Sequence, residues 1–249
     1  MAKKTFLQLV AAADAIAPAA SDGSRTLIER AYGQLRDDIV EGRLAPGEKL
    51  RVEHLKARYG VGAGTLREAI TRLAIDALVQ AEGQRGFRVT PMTLADLEDL
   101  TRLRIHIEIE ALRLSIRHGG AAWREQLRAA YDDLSAFEQP VRPEQRAEWE
   151  LRNTCFHETL VSAQASPWTT KVLRLLSRHG ERYRGFAIGL ADSGRNVHDE
   201  HRRIFEFAMA GHEARAALAL EAHIRATPDL LLRAAAASPQ LFDRGQAAP

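Results

Sequence analysis

The sequence predicts a mainly α-helical protein in which an N-terminal winged helix-turn-helix precedes an all-α antiparallel helical bundle. Residues 26–78 contain short amphipathic helical segments around a glycine-containing turn. Residues 78–90 change to strand-like runs, and residues 94–236 carry helical periodicity without strand signals. The chain has 249 residues, 45% hydrophobic and 27% charged, which is enough for two domains.

The first domain is expected at residues 25–91, after an N-terminal extension at residues 1–24. Its predicted helices cover residues 26–41, 52–59 and 65–78, and its two predicted strands cover residues 78–81 and 86–90. Gly42 and Gly60 end the first two helices, and the glycine-rich run Glu82-Gly-Gln-Arg-Gly forms the tip of a hairpin. Three helices and a hairpin in this order make a winged helix.

The second domain is expected at residues 92–237, before a C-terminal tail at residues 238–249. Glycine and proline separate its amphipathic segments. The six predicted helices cover residues 94–118, 121–138, 143–164, 167–188, 196–210 and 213–236. A bundle of antiparallel helices places any ligand site in its core.

Composition excludes several classes of protein. The single cysteine, Cys155, excludes an intramolecular disulfide framework and a four-cysteine zinc site, and we expect it in the core. There is no run of 18 apolar residues, so no transmembrane helix is expected. Gln8 and Asp14 interrupt an apolar N-terminal stretch that otherwise imitates a signal peptide. We therefore expect a cytoplasmic protein without a membrane partner.

The first domain is suited to DNA. Residues 1–92 carry a net charge of +3, against −1 for the remainder. A helix fits the major groove, and arginine can pair bidentately with guanine. Arg85, at the tip of the hairpin, can reach phosphate or the minor groove. The alternative is that these arginines are solvent-exposed surface residues that do not bind DNA.

The stretch from Gly47-Glu-Lys-Leu to Arg88-Val-Thr-Pro resembles the DNA-binding domain of bacterial transcription regulators of the GntR family. The matching motifs are Tyr59-Gly-Val, Leu66-Arg-Glu-Ala-Ile-Thr-Arg-Leu and Gly83-Gln-Arg-Gly-Phe-Arg-Val. The DNA-contacting candidates that follow from this resemblance are Arg51, Thr65, Arg67, Arg72, Arg85 and Gly86. The chain departs from the family at Gly62-Ala-Gly-Thr, where Ala63 stands in place of a base-reading arginine. An operator that matches the common family consensus is therefore not expected.

Polar residues of the second domain suggest a ligand site. Asn153 and His157 share a helix face, and His201 and His223 lie on later helices. Three converging imidazoles would bind zinc or another divalent ion and leave one position open, although each could equally be an ordinary surface or core histidine. Arg104 either clamps a ligand carboxylate or pairs with Glu108. The remaining candidates for this anion site are Arg178, Arg182, Tyr183 and Arg184.

This half of the chain resembles the helical effector-binding FCD domain of the FadR branch of the same family. The matching features are Arg104 with Glu108, the Asn-x-x-x-His segment at residues 153–157, Glu200-His-Arg-Arg-Ile, Gly211-His-Glu-Ala and Ala222-His-Ile. The resemblance implies a divalent metal, zinc or alternatively nickel or manganese, on His157, His201 and His223. Asn153 occupies the position of the usual aspartate, which should weaken the metal site. The implied effector-binding residues are Arg104, Glu108, Tyr183 and Arg184.

These observations predict a ligand-responsive transcription regulator and not an enzyme. By resemblance it is a repressor that a small carboxylate, of dicarboxylate type, releases from a palindromic operator bound by a homodimer. One alternative is a metal-free regulator whose histidines bind the anion directly. A helical metallo-hydrolase is a second, although the chain lacks a His-Glu-x-x-His pair. A third is an interaction module whose winged helix no longer binds DNA.

Overall fold

The computed structural model describes residues 27–83, 86–138, 145–188 and 195–237, and it confirms the predicted fold class. The first part consists of α1 (Leu27–Val40), β1 (Lys49–Leu50), α2 (Val52–Tyr59), α3 (Ala63–Ile75), β2 (Val79–Ala81) and β3 (Phe87–Val89). The second consists of α4 (Leu94–His118), α5 (Ala121–Phe137), α6 (Arg146–Leu160), a 3-10 turn (Ser162–Gln164), α7 (Pro167–Ile188), α8 (Val197–Met209) and α9 (Glu213–Ala237). The predicted extension at 1–24 and tail at 238–249 lie outside the described residues.

The winged helix is held together by α1, which packs on α3 over a core of aliphatic side chains. Its sheet is antiparallel with the order β1-β3-β2, and Leu50 pairs with Phe87. Sequence analysis missed β1, because a strand of two residues has no periodicity of its own. It exists only through its pairing with β3, about forty residues further along the chain.

The helix α3 differs from its predicted limits of 65–78 at both ends. It begins at Ala63, because Gly62 is extended and already takes the N-cap position. It ends at Ile75, because Ala77 adopts a left-handed conformation with φ of 56°. The Leu78 amide then donates to the Leu73 carbonyl at 2.9 Å, which is a Schellman-type helix end.

The bundle is built around α4 and α9, which pack on each other, while α7 packs on α4 and α5 packs on α6. Five predicted helices match within one or two residues, but the segment 143–164 is shorter. Within the described residues, α6 covers only 146–160, and the 3-10 turn at 162–164 replaces its last turn. Residues 143 and 144 lie outside the described part of the chain.

The prediction of a core position for Cys155 was wrong, because the structure shows this residue exposed. Trp149, Asn153 and Phe156 form the buried side of α6. Cys155 lies on the opposite side of the helix, as its spacing from Asn153 requires. The side opposite the site faces solvent in this bundle and not the hydrophobic core.

The two parts of the chain meet at α7, which contacts α1. Arg182 donates to the Thr90 carbonyl at 2.6 Å, and Arg36 of α1 pairs with Glu181. Over the described residues, no helix combines the length and the apolarity needed to span a membrane. The predicted domain limits, 25–91 and 92–237, stay a prediction.

Candidate functional site

The structure brings His157 of α6, His201 of α8 and His223 of α9 together in the bundle core. One ring nitrogen of each lies within 4.8 Å of those of the other two. The ring centroids of His157 and His223 are 5.0 Å apart, and those of His201 and His223 are 4.7 Å apart. The predicted convergence of these three side chains is therefore present, and its size suits one metal ion.

Carboxylates orient two of the three imidazoles. His201 Nδ1 lies 2.9 Å from Glu138 Oε1, and His223 Nδ1 lies 2.8 Å from Glu200 Oε2. Each Nδ1–H therefore donates to a carboxylate, which leaves Nε2 with a lone pair. The Nε2 atom of His201 is buried and has no hydrogen-bond partner in the described structure.

Asn153 adds a neutral oxygen donor on the same side of α6 as His157. Its amide nitrogen donates to Glu150 Oε1 at 3.4 Å, and its Oδ1 is buried without a hydrogen-bond partner in the described structure. Buried polar atoms of this kind are rare unless a ligand or water satisfies them. The orphaned Asn153 oxygen and the orphaned His201 nitrogen fit a divalent metal, so the residues present can hold the implied ion.

His157 and His223 are kept in the neutral form that binds metal. Burial holds the pKa of His157 well below its usual value, and the nearby His223 lowers this pKa further. Burial is also the main cause that lowers the pKa of His223, with His201 as the next. A neutral imidazole is the species that coordinates metal ions, so little proton competition is expected near neutral pH.

Arg104 of α4 lies next to the histidines and is largely buried. Its Nε donates to Glu108 Oε1 at 2.8 Å, so the predicted pairing with Glu108 is present. Gly180 of α7 makes room for the guanidinium, because a Cβ there would lie 2.7 Å from Arg104 Nη1. Pairing with Glu108 and contact with a ligand are compatible, since the guanidinium has five donors.

Two cavities meet at Arg104 and His157. The larger has a volume of about 340 Å³, and its hydroxyl-bearing lining residues are Thr154, Thr159, Ser162, Thr170 and Ser177. The smaller, of about 30 Å³, lies between Gly180, Arg184 and His223. Two ion pairs, Arg104 with Glu108 and Arg174 with Glu158, also line the larger cavity, so the groups available to a small polar anion are the hydroxyls and the remaining guanidinium N–H groups.

Of the other predicted effector-site residues, two border the smaller cavity and two contact the winged helix instead. Arg184 borders the smaller cavity and pairs with the buried Glu150. Tyr183 also borders this cavity, but its hydroxyl donates to Asp96 at 2.7 Å. Arg178 and Arg182 do not join the site, because they contact Asp76 and Thr90 of the winged helix. Helical spacing explains this separation, since residues 178 and 182 lie on the side of α7 opposite 180 and 184.

The predicted DNA-contacting residues lie on an accessible surface. Arg51, Arg67 and Arg72 are exposed and Thr65 is half-buried. Arg72 pairs with Glu68, one turn earlier on α3. No side chain caps the N-terminus of α3, which leaves amide groups available for a phosphate. Gly86, with φ of 99°, directly precedes the return strand β3 of the wing, while Arg85 lies outside the described residues.

The helix α7 connects the cavity to α3. Asp76, the C-cap residue of α3, accepts a hydrogen bond from Arg178 at 2.6 Å and one from Tyr32. The ring of His179 lies 3.1 Å from the Asp76 carbonyl oxygen. On the same helix, Gly180, which directly follows His179, and Arg184, one turn after Gly180, border the smaller cavity. A shift of α7 at the cavity would therefore reach the end of α3.

Sequence reasoning missed several residues at this site. Glu138, Glu150 and Glu200 each bond one of the candidate metal-binding side chains, and Gly180 receives Arg104. Glu200 is the first residue of the motif Glu200-His-Arg-Arg-Ile, and Gly180 lies between the candidates Arg178 and Arg182, but neither was assigned a role. Glu138 gave no signal, since it is 63 residues from His201 in the chain.

Comparison with protein families gives two matches. Residues 27–89 match the family described as bacterial regulatory proteins, gntR family, and residues 99–226 match the FCD domain. The chain is 43% identical to the uncharacterized HTH-type transcriptional regulator BphR of Paraburkholderia xenovorans, over 82% of this chain and 84% of that one. It is 31% identical to the HTH-type transcriptional repressor GlaR of Escherichia coli, over 78% of this chain and 90% of that one.

Solved structures share the fold. McbR/YncC of Escherichia coli aligns with a TM-score of 0.69 at 16% identity, over 85% of this chain and 99% of that one. The Lar protein of Listeria monocytogenes aligns with a TM-score of 0.60 at 18% identity, over 85% and 99% of the two chains. At this level of identity the two likenesses support the architecture alone.

Proposed function

The chain belongs to the gntR family of bacterial regulatory proteins and carries an FCD domain, and from this premise we propose that it is a repressor released by a small carboxylate. The family consists of DNA-binding transcription regulators and not of enzymes. GlaR, to which the chain is 31% identical, is named a repressor, which supports repression over activation.

The observation that carries the proposal is the position of Arg104. Its partly buried guanidinium borders both cavities, as does His157, and His223 lines the smaller one. One carboxylate oxygen of an effector would pair with Arg104. A metal held by His157, His201, His223 and the Asn153 oxygen would supply an open coordination position for the other oxygen. We propose zinc, with nickel or manganese as alternatives.

On the DNA side, we propose that α3 enters the major groove of a palindromic operator. One recognition helix reads only a short half-site, so a homodimer with two such helices would provide the length of a specific operator. Thr65, Arg67 and Arg72 would face the bases and phosphates, with Arg51 and the wing beside them. Because Ala63 cannot pair with guanine, recognition would depend more strongly on Arg67.

We propose that the two sites communicate through α7. A carboxylate that settles between Arg104 and the histidines would displace Gly180 and Arg184. Arg178 and His179, on the same helix, would transmit this shift to Asp76 at the end of α3. The effector can act only by binding more tightly to the conformation that binds DNA poorly.

Operator affinity tests the proposal. An operator would be selected from random duplexes, and its affinity measured by fluorescence anisotropy with and without malonate, succinate, glutarate and adipate. At least one dicarboxylate should weaken binding about tenfold, a coupling of roughly 1.4 kcal/mol. Arg104→Gln should abolish this response, whereas Arg102→Gln, an exposed position on the same helix, should keep it. A normal response in the folded Arg104→Gln variant would refute the role of Arg104.

A metal-free anion sensor is the second candidate, and the neutral Asn153 favours it. Arg104 and Arg184 would then hold the carboxylate without a metal ion. Treatment with a chelator separates the two functions. An unchanged response after complete metal removal supports direct anion binding, and a lost response that zinc restores supports the metal.

A further inference from the structure

Glu138 is a buried carboxylate at the end of α5. Its side chain is only 2% exposed. Its Oε1 accepts hydrogen bonds from Trp149 Nε1 at 3.0 Å and from His201 Nδ1 at 2.9 Å. Among the described residues, its ion-pair partners are His198 and His201, and no lysine or arginine pairs with it. A buried anion in this setting is costly unless a positive charge lies close by.

The geometry at His201 leaves room for such a charge on the far side of the imidazole, where a metal ion would bind. The ring is completely buried and donates Nδ1–H to Glu138. One ring nitrogen of His201 lies within 4.8 Å of a ring nitrogen of each of the other two histidines. Because Nδ1 faces Glu138, the nitrogen available for an ion is Nε2, which has no hydrogen-bond partner among the described residues. A carboxylate, an imidazole and an ion in this order form an arrangement that fixes the ring and makes its free nitrogen a stronger donor.

Glu200 has the same relation to His223. Its Oε2 accepts from Nδ1 of this histidine at 2.8 Å, and it also pairs with Arg195 at 2.7 Å. Two of the three histidines are therefore oriented by glutamates. Part of the charge of Glu200 is balanced by Arg195, so Glu138 is the stronger source of negative charge for the site.

The total charge of the candidate metal ligands explains why a nearby carboxylate matters. Three neutral imidazoles and the neutral amide of Asn153 leave both charges of a divalent ion unbalanced. Resting on the metal site proposed above, we propose that Glu138, assisted by Glu200, is a positioning residue that supplies this missing negative charge through the histidines. The anionic group that would sit at residue 153 is thus replaced by carboxylates one layer further out.

Zinc affinity of the full-length protein, measured by competition with a chromophoric chelator, tests this inference. Glu138→Gln keeps the shape of the side chain and removes its charge, and zinc affinity should fall about 10- to 100-fold. Glu125→Gln removes an exposed carboxylate from the same helix and should leave affinity unchanged. Asn153→Asp should raise zinc affinity more in the Glu138→Gln background than in the wild type, because only that background lacks the outer negative charge. Equal gains in the two backgrounds would assign Glu138 a purely structural role and overturn the inference.

The results distinguish failure of this inference from failure of the proposed metal site. If the wild type binds zinc and folded Glu138→Gln binds it equally well, this inference is overturned while the proposed metal site stands. If the wild type binds no zinc, nickel, manganese or cobalt, the metal part of the proposed function fails and the inference fails with it. The absorption spectrum of bound cobalt should also change in Glu138→Gln, because the His201 ring is no longer fixed.

Glu200→Gln keeps the test valid if Glu138→Gln does not fold. Glu200 is only half-buried, so this variant should fold. Zinc affinity should fall in the same direction but by less, since Arg195 already balances part of the charge. An unchanged affinity in this variant would then overturn the inference.

Discussion

Arg104 occupies its position because residue 180 has no side chain. A Cβ at this position would lie 2.7 Å from Arg104 Nη1 and 3.3 Å from Arg184 Nη1, so both guanidinium groups depend on the same gap. Gly180 lies inside α7, where alanine would favour the helix by about 1 kcal/mol. Gly180 therefore makes α7 less stable than alanine would, and its missing side chain leaves space for two cations at the cavity.

Gly180→Ala should consequently separate stability from response. We expect the melting temperature to stay the same or rise, while the concentration of dicarboxylate needed to release operator DNA increases about tenfold or more. Gly33→Ala is the matched control, since Gly33 also lies inside a helix and has open space around its Cβ position. A normal dicarboxylate response in Gly180→Ala would show that the Arg104 position does not matter.

At the level of elements, α3 presents its exposed arginines to solvent and its apolar side to the winged-helix core. Leu66, Ile70 and Leu73 are fully buried, whereas Arg67 and Arg72 are exposed. Arg72 is already paired with Glu68, so Arg67 is the cation expected to contribute more to DNA binding.

Arg67→Ala should weaken operator binding by about 1–3 kcal/mol and relax base preference at one position of each half-site. Arg30→Ala, an exposed change on α1, should have little effect. The measurement is an anisotropy titration at fixed salt against the operator and against single-base variants. Equal losses on all duplexes, including random DNA, would assign Arg67 to phosphate contact only.

The second element that matters is α7, which has one side toward the cavity and the other toward the winged helix. Arg178→Gln removes its ion pair with Asp76 and leaves the cavity residues unchanged. We expect DNA affinity without effector to stay within about threefold, and the dicarboxylate effect to shrink. Lys171→Gln, an exposed change on the same helix, serves as the control. Retention of the full dicarboxylate effect would exclude this contact as the connection.

Local signals predicted most helices of this molecule, because glycine, proline and apolar spacing act within a few residues. The strand β1 and the role of Glu138 could not be found in this way, since both depend on partners distant in the sequence. The convergence of the three histidines followed from a resemblance and not from spacing. Cys155 was misplaced because helical geometry gives the side of a helix but not what covers it.

The whole molecule combines a DNA-binding head with a bundle that holds a polar site in its core. The contacts of α7 with Asp76, Thr90 and α1 connect these two parts. Through these contacts, we propose, the site in the bundle and the DNA-binding surface are coupled. Thermodynamic linkage requires this coupling to be reciprocal, because both ligands act on one equilibrium.

The most direct measurement is therefore calorimetric titration of the zinc-loaded protein with glutarate, in the presence and absence of saturating operator DNA. We expect DNA to weaken glutarate binding by the same factor by which glutarate weakens DNA binding, about tenfold, and Arg104→Gln to remove both effects. Glutarate binding of equal affinity with and without DNA, or no binding of any dicarboxylate tested, would contradict the account.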